Sequence, residues 1–251
     1  MMEKQNIGKV ERMKLKHKKL GLIGAGSMSL MALWIWYGLL HGSQVWEDGY
    51  SFLIYDIGIL QTIFMPLVLA MTASRICDVE HKGGAWKLLY TLADRDTVYY
   101  GKIRSGTRYV LLLALIQLLI ILGAAAVYPV TQPLPVKELL FWLAGTLILS
   151  EGLFLFQMIL SFSVENQLIS LVIGLLGSFL GLFALYLPVI YRLIPWCYYA
   201  VLVPVEMEWN IETRAVSYDL TRPDYGLLAV VLVLDGILYG WGKWLFRKKE
   251  V

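Results

Sequence analysis

The stretch LLFWLAGTLILSEGLFLFQMILSF, residues 139–162, contains a single charged side chain, Glu151. About 20 consecutive apolar residues are enough for an α-helix to cross the hydrocarbon core of a bilayer. The stretch therefore predicts a transmembrane helix with an acidic residue near its middle.

The rest of the chain repeats this pattern. Apolar windows long enough to cross a bilayer lie at about residues 20–40, 52–74, 107–128, 138–162, 167–190 and 225–246. Polar or proline-containing breaks separate them, as expected because lipid cannot satisfy loose backbone groups. Apolar residues make up 58% of the chain and charged residues 16%, whereas charged residues make up about a quarter of a soluble domain. We therefore expect an all-α, polytopic membrane protein with six transmembrane helices.

Lysine and arginine are concentrated in three segments. The N-terminal segment, residues 75–108 and the C-terminus together carry most of the 22 basic residues. An even number of spans places all three on one face, which the positive-inside rule assigns to the cytoplasm. We predict a basic cytoplasmic segment over residues 1–19 and a single six-span domain over residues 20–251. The net charge of +3 follows from this topology and is no reason to expect nucleic-acid binding.

A short amphipathic helix is predicted between the second and third spans, in the segment DVEHKGGAWKLLYTLADRD, residues 78–96. Trp86, Leu89, Tyr90 and Ala93 recur at helical spacing, and they predict one apolar face. Leu88 and Leu92 are expected to widen that face. Periodicity alone leaves two alternatives open: a helix that rests on the membrane surface, or one that docks on a partner.

Three acidic residues fall inside the predicted spans: Asp56, Glu151 and Asp235. A charged residue at the centre of a membrane helix costs roughly 2.5–3.5 kcal/mol, so it is expected to face the bundle interior, a partner or a water-filled path. The alternatives are a packing hydrogen bond, a place in the transport pathway, or a contact between subunits.

The sequence gives little support for catalysis. The P-loop pattern G-x-x-x-x-G-K-[ST] does not occur, so this route to ATP binding is excluded. No arrangement of nucleophile, histidine and carboxylate stands out, and we predict no catalytic residue. Cys77, Asp78, Glu80 and His81 do not have the spacing of a zinc site, and we predict no metal.

The segment DVEHKGGAWKLLYTLADRDTVYYGK, residues 78–102, resembles the segment that follows the second span in type-2 ABC exporter permeases. In that family the helix docks on a separate ATPase, which would bind the ATP and Mg²⁺. The resemblance implies coupling residues at Glu80, Gly84, Trp86, Lys87, Leu88 and Leu89, with Gly101 and Lys102 as further matching positions.

Two further stretches resemble the lantibiotic-immunity branch of that family. They are LSFSVENQLISLVIGLLGSFLGLF, residues 160–183, and LIPWCYY, residues 193–199. The resemblance implies a bacterial cell-membrane exporter that expels lantibiotic or bacteriocin peptides, in which a second permease subunit and ATPase subunits assemble with this chain. The alternatives are a permease for a drug, a lipid or another toxin peptide, and a membrane scaffold or sensor without transport.

The outer segment from about residue 191 to residue 224 is the candidate for peptide contact. It contains three basic and five acidic residues, and its aromatic side chains suit a membrane interface. A cationic amphipathic peptide is one expected ligand, and a resting interfacial helix is the alternative. The candidate contact residues are Trp196, Tyr198, Trp209, Glu206 and Glu208.

Overall fold

Six long apolar helices dominate the computed structural model, which describes residues 13–14, 19–41, 48–82, 86–128, 130–187, 194–212 and 216–248. Each is long and apolar enough to cross a membrane. They are α1 (Leu20–His41), α2 (Gly49–Lys82), α4 (Arg95–Val127), α5 (Val136–Ser163), α6 (Gln167–Ala184) and α8 (Tyr225–Lys248), with the short helix α3 (Trp86–Leu92) between α2 and α4. The predicted all-α, polytopic fold is confirmed.

Helix α2 is the centre of the bundle. It packs against α1, α4, α5 and α6, and 67% of its apolar window is buried. Helix α8 is peripheral, with 11% of its window buried, and it packs on α5 and α4. The helix on the bundle axis therefore contacts most of the others, whereas α8 exposes most of its surface to lipid.

Helix α2 continues beyond its predicted window, which ends at residue 74, as far as Lys82. The added turns are polar, and an ion pair of 3.1 Å joins Lys82 Nζ to Asp78 Oδ2 one turn away. Such i,i+4 pairs stabilise a helix slightly. At 1.5 Å per residue the whole helix is about 51 Å long, well above the ~30 Å hydrocarbon thickness.

Both ends of the sequence meet the α2–α4 connection at one end of the bundle. Lys14 Nζ lies 2.9 Å from Glu80 Oε1, and Arg247 Nε donates to Asp96 Oδ1 at 2.6 Å. The predicted common face of the three basic segments is thus present in the structure. We call it the basic end; the compartment that it faces stays a prediction.

The opposite end carries a β-hairpin that was not predicted. The segment begins with a 3-10 turn (Pro195–Cys197) and a short helix α7 (Tyr198–Val201), followed by antiparallel strands β1 (Val205–Trp209) and β2 (Val216–Leu220). We call this the hairpin end. Two short strands do not alter the all-α class, but they replace the interfacial helix that was an alternative here.

A polar cluster joins three helices inside the bundle. Gln61 Nε2 of α2 donates to Gln117 Oε1 of α4 and, at 3.0 Å, to Thr146 Oγ1 of α5. All three side chains are buried. Because an unpaired polar group in this setting costs free energy, the cluster favours one relative position of these helices.

Candidate functional site

Helix α3 lies at the basic end with one apolar face turned into the protein. Trp86 and Ala93 are buried, and Leu89 and Tyr90 are partly buried. This is the face that helical spacing predicted. Leu88 and Leu92, which were expected to widen it, are instead 62% and 52% exposed. Helix α3 therefore has a second apolar edge, Leu88 and Leu92, which we call the outer edge.

Trp86 anchors α3 to three other helices. Its ring centroid lies 5.4 Å from that of His81 on α2, 5.2 Å from Phe162 on α5 and 5.7 Å from Phe246 on α8. Phe162 and Phe246 stack on each other at 4.2 Å. These aromatic contacts join α3 directly to α2, α5 and α8.

Beneath α3, two lysines pair with one buried glutamate. Glu80 Oε2 lies 2.8 Å from Lys102 Nζ and Glu80 Oε1 lies 2.9 Å from Lys14 Nζ. Lys102 Nζ also donates to the carbonyl oxygen of Ile76 at 3.0 Å and lies 5.4 Å from the centroid of the Trp86 ring. Glu80 and Lys102 are both buried, and such charges persist only where they are paired. The cluster ties α2, α4 and the N-terminal segment to the helix above it.

Tyr90 completes the inner face of α3. Burial raises the pKa of its hydroxyl to about 12, and the guanidinium of Arg95 lies 4.8 Å from its ring centroid. The hydroxyl is therefore neutral at physiological pH, and Tyr90 adds no negative charge to the surface that α3 packs on.

The structure divides the six predicted coupling residues into two groups. Glu80 and Trp86 are buried and Leu89 is partly buried, whereas Leu88 is exposed. Gly84 and the side chain of Lys87 lie outside the described residues. Among the predicted coupling residues whose side chains the structure describes, Leu88 is thus the exposed one, while the buried residues hold α3 in place. A role in coupling stays a prediction. Leu92, which belongs to the same outer edge, could have been chosen from its i+4 spacing to Leu88.

A cavity of about 720 Å³ opens beside α3. It lies between the polar end of α2, Trp86 and the turn that precedes α6. Its lining includes charged groups from both sides, among them Arg75, Asp78, Lys82 and Glu165. No local pattern predicts this cavity, because its two walls are about 80 residues apart along the chain.

Two of the three intramembrane acids come together between α5 and α8. Glu151 Oε1 accepts a hydrogen bond of 2.7 Å from Thr107 Oγ1. Asp235 packs against the backbone of Gly152, where a Cβ would collide with its carboxylate. Asp56 lies apart from them and faces Gly38 of α1. The hydrogen bond from Thr107 to Glu151 agrees with the packing alternative for this acid. A role of these acids in the transport pathway stays a prediction.

The hairpin has one apolar face and one acidic face. Val205, Met207 and Tyr218 share a face, and Tyr218 lies against Phe52 and Tyr55 of α2, with ring centroids 5.4 and 5.5 Å apart. On the other face Glu206 is directly opposite Asp219, and Glu208 is opposite Ser217. Like charges in this position destabilise a sheet, so the acidic face is not explained by the stability of the hairpin.

The five predicted peptide-contact residues occupy two environments. Glu206, Glu208 and Trp209 are exposed on β1. Tyr198 is buried, and Trp196 packs into α6, where a Cβ at Gly181 would lie 3.0 Å from its backbone and Cβ atoms. Trp196 and Tyr198 therefore fix the base of the segment, and the three predicted contact residues on β1 are the accessible ones of the five.

Comparison with known proteins gives one family assignment. A family model described as "ABC-2 family transporter protein" matches residues 8–181, which is more than half of the chain. No curated protein matches the chain. The matched range includes α3, the Glu80 cluster and both walls of the cavity, and it ends before the hairpin.

Proposed function

The chain belongs to the ABC-2 family of transporter proteins, and on this premise we propose that α3 docks on a separate ATPase subunit that binds ATP and Mg²⁺. The chain itself is a transport subunit, a multi-pass membrane permease. Family membership favours this reading over a membrane scaffold. The observation that supports the docking proposal is the exposure of Leu88 and Leu92, which form the outer edge of the rigidly held helix α3.

The docking surface is the outer edge, and the buried residues transmit the movement. An ATPase that closes on ATP would press on Leu88 and Leu92, and Trp86 would carry the displacement to α5 and α8. The Glu80–Lys102 pair would carry it to α2 and α4. Such a rigid-body movement of helices past one another supplies gated or alternating access across the membrane.

The hairpin supports a cationic peptide as the substrate. Its acidic face, formed by Glu206, Glu208 and Asp219, points away from the bundle. Trp209 lies on the opposite, apolar face of the hairpin and is 56% exposed. Opposite charges draw a ligand to such a surface. We propose a lantibiotic or bacteriocin peptide, expelled from the membrane for self-immunity or resistance. A permease for another substrate (a drug, a lipid or another toxin peptide) is the second candidate.

The proposal also includes an orientation of the chain in the membrane and an assembly with a second subunit. The basic end would face the cytoplasm of a bacterium, with both termini there, because basic residues accumulate on that side. A second permease subunit, identical or different, would complete the transport pathway.

Docking is tested by purifying the tagged chain from its native membrane in mild detergent and measuring ATPase activity in the eluate. We expect the wild type to bring down an ATP-hydrolysing chain and the double variant Leu88→Gln, Leu92→Gln to lose it. Ile211→Gln is the control, because Ile211 is 83% exposed at the hairpin end. An eluate without ATPase activity from the wild type, or with undiminished activity from the double variant, would refute docking at this edge.

The substrate is tested by challenging cells that express the complete transporter with a panel of cationic bacteriocins and, separately, of uncharged drugs. We expect protection against a bacteriocin, reduced several-fold by Glu206→Gln with Glu208→Gln. Glu138→Gln is the control, since Glu138 is in the first turn of α5, outside the hairpin. Protection against drugs alone would favour the second candidate.

A further inference from the structure

We propose that the cavity beside α3 binds the head group of an ethanolamine phospholipid. The inference goes beyond the transport function and requires no ATPase. It rests on the depth of the cavity in the membrane, on the charges that line it and on one buried acceptor atom.

The cavity begins where the apolar window of α2 ends, which is the expected depth of the lipid head groups, and it extends outward from there. The apolar window of α2 ends at residue 74, and the lining residues of α2 run from Ser74 to Lys82. Eight residues of helix correspond to about 12 Å, and each interfacial zone of a bilayer is about 5–8 Å thick. Leu168, which is 63% exposed, and Leu171 line the other wall at the start of α6. They offer an apolar surface to acyl chains.

Among the lining residues that the structure describes, one cation and one anion are available to a ligand. Asp78 and Lys82 neutralise each other across 3.1 Å. Arg75 and Glu165 remain, and neither is joined by an ion pair or a hydrogen bond to another residue that the structure describes. A guanidinium binds a phosphate through paired charge-assisted hydrogen bonds. The carboxylate would complement an ammonium group of the same ligand.

Gln167 points to a ligand that donates hydrogen bonds. Its Nε2 donates hydrogen bonds to the carbonyl oxygens of Ser161 and Val164, at 2.9 and 3.0 Å. Its Oε1 is buried and accepts no hydrogen bond within the described part of the chain, a condition that is costly for a buried acceptor. The ammonium of ethanolamine can donate to this oxygen and to Glu165, whereas the trimethylated nitrogen of choline cannot. Arg75 would hold the phosphate.

The test is native mass spectrometry of the full-length chain, purified in detergent and mixed with equal amounts of phosphatidylethanolamine, phosphatidylglycerol and phosphatidylcholine with identical acyl chains. We expect phosphatidylethanolamine adducts to exceed phosphatidylcholine adducts about tenfold, since a hydrogen bond to a charged group has a value of that order. Arg75→Gln should reduce adducts of all three lipids. Glu165→Gln should lower the preference for phosphatidylethanolamine over phosphatidylglycerol.

Arg104→Gln is the matched control, because Arg104 is exposed on α4 and does not line the cavity. Equal retention of the three lipids by the wild type would overturn the proposal. So would an Arg75→Gln variant that retains lipid like the wild type, or a control that loses it equally. The Arg75→Gln variant can also be tested in the pull-down assay described above. If it loses the ATPase there but keeps its lipid, the cavity receives a segment of the partner protein. The lipid proposal is then wrong, while docking stands.

Discussion

The two ends of the bundle hold their protruding elements in different ways. At the basic end, α3 is fixed by the aromatic contacts of Trp86 and by the charges of Glu80 and Lys102 beneath it. At the hairpin end, the strands rest on α2 through one apolar face, chiefly by Tyr218. Under the proposed function, several rigid contacts suit a helix that transmits force, and few contacts suit a surface that adapts to a ligand.

The largest expected effect is at the buried charges. Lys102→Met leaves Glu80 without its fully buried partner, and we expect the free energy of unfolding to fall by about 3–5 kcal/mol. Adding Glu80→Leu should recover most of the loss, since Lys14 is partly exposed and can reach water. The measurement is thermal or denaturant unfolding in detergent.

Asp78→Asn provides the control for that cycle. It removes a pair whose lysine side chain is 77% exposed and whose aspartate side chain is 13% exposed, so we expect a loss of about 1 kcal/mol, the upper end of the range for exposed pairs. If Asp78→Asn and Lys102→Met lowered the free energy of unfolding equally, the buried Glu80–Lys102 pair would be no more important for stability than the Asp78–Lys82 pair.

A smaller effect is expected at the hairpin. Tyr218→Leu removes aromatic contacts with Phe52 and Tyr55, which should weaken the attachment of the hairpin by about 1 kcal/mol. Limited proteolysis should show faster cleavage between β1 and β2 while the six long helices stay intact. Cooperative loss of the whole fold would show that the hairpin is as strongly integrated as α3.

Tyr218 should also make the attachment of the hairpin sensitive to high pH. Burial, with a contribution from the charge of Asp56, raises the pKa of Tyr218 to about 12, above its ordinary value of about 10. The folded state therefore favours the neutral hydroxyl. The stability due to this shift is fully present below pH 10 and is lost between about pH 10 and 12. Tyr218→Phe should make proteolysis of the hairpin less dependent on pH over that window.

The ion pair between α4 and α8 should contribute less. Arg247 and Lys243 both approach Asp96, the lysine at 3.3 Å, and the arginine side chain is more than half exposed. We expect Arg247→Gln to cost about 0.2–1 kcal/mol, with the difference disappearing at high salt. A large, salt-independent loss would mean that this pair belongs to the rigid cluster around α3.

The smallest expected effect has the opposite sign. Glu206→Gln relieves the repulsion across the strands from Asp219, so the hairpin should gain a few tenths of a kcal/mol. Protease resistance of the hairpin should rise slightly while peptide protection falls. A loss of both would show that Glu206 is structural.

The membrane spans could be predicted because the length of an apolar window is a local property of the sequence. The inner face of α3 followed from 3.6-residue periodicity for the same reason. The hairpin had a local signal too, the alternation Val205-Glu206-Met207-Glu208-Trp209, but it lay in a segment that was interpreted as a loop.

The contacts that define the site had no such signal. Glu80 and Lys102 are separated by 21 intervening residues and meet only because α2 and α4 pack side by side. Phe246 reaches Trp86 from the far end of the chain. Pairings of this kind depend on the tertiary arrangement of helices, and one sequence does not encode them in any local pattern.

Helix α2 runs unbroken from Gly49, beside the hairpin, to Lys82, beside α3. It touches Tyr218 at one end, through Phe52 and Tyr55, and carries Glu80 at the other. A rod about 51 Å long that tilts by about 5° around its midpoint moves each tip by about 2 Å. Pro66, inside the helix, is the natural fulcrum or bend, because proline removes one backbone hydrogen bond there. If the proposed function holds, this helix would link peptide binding at the hairpin end to the ATPase docked at the basic end.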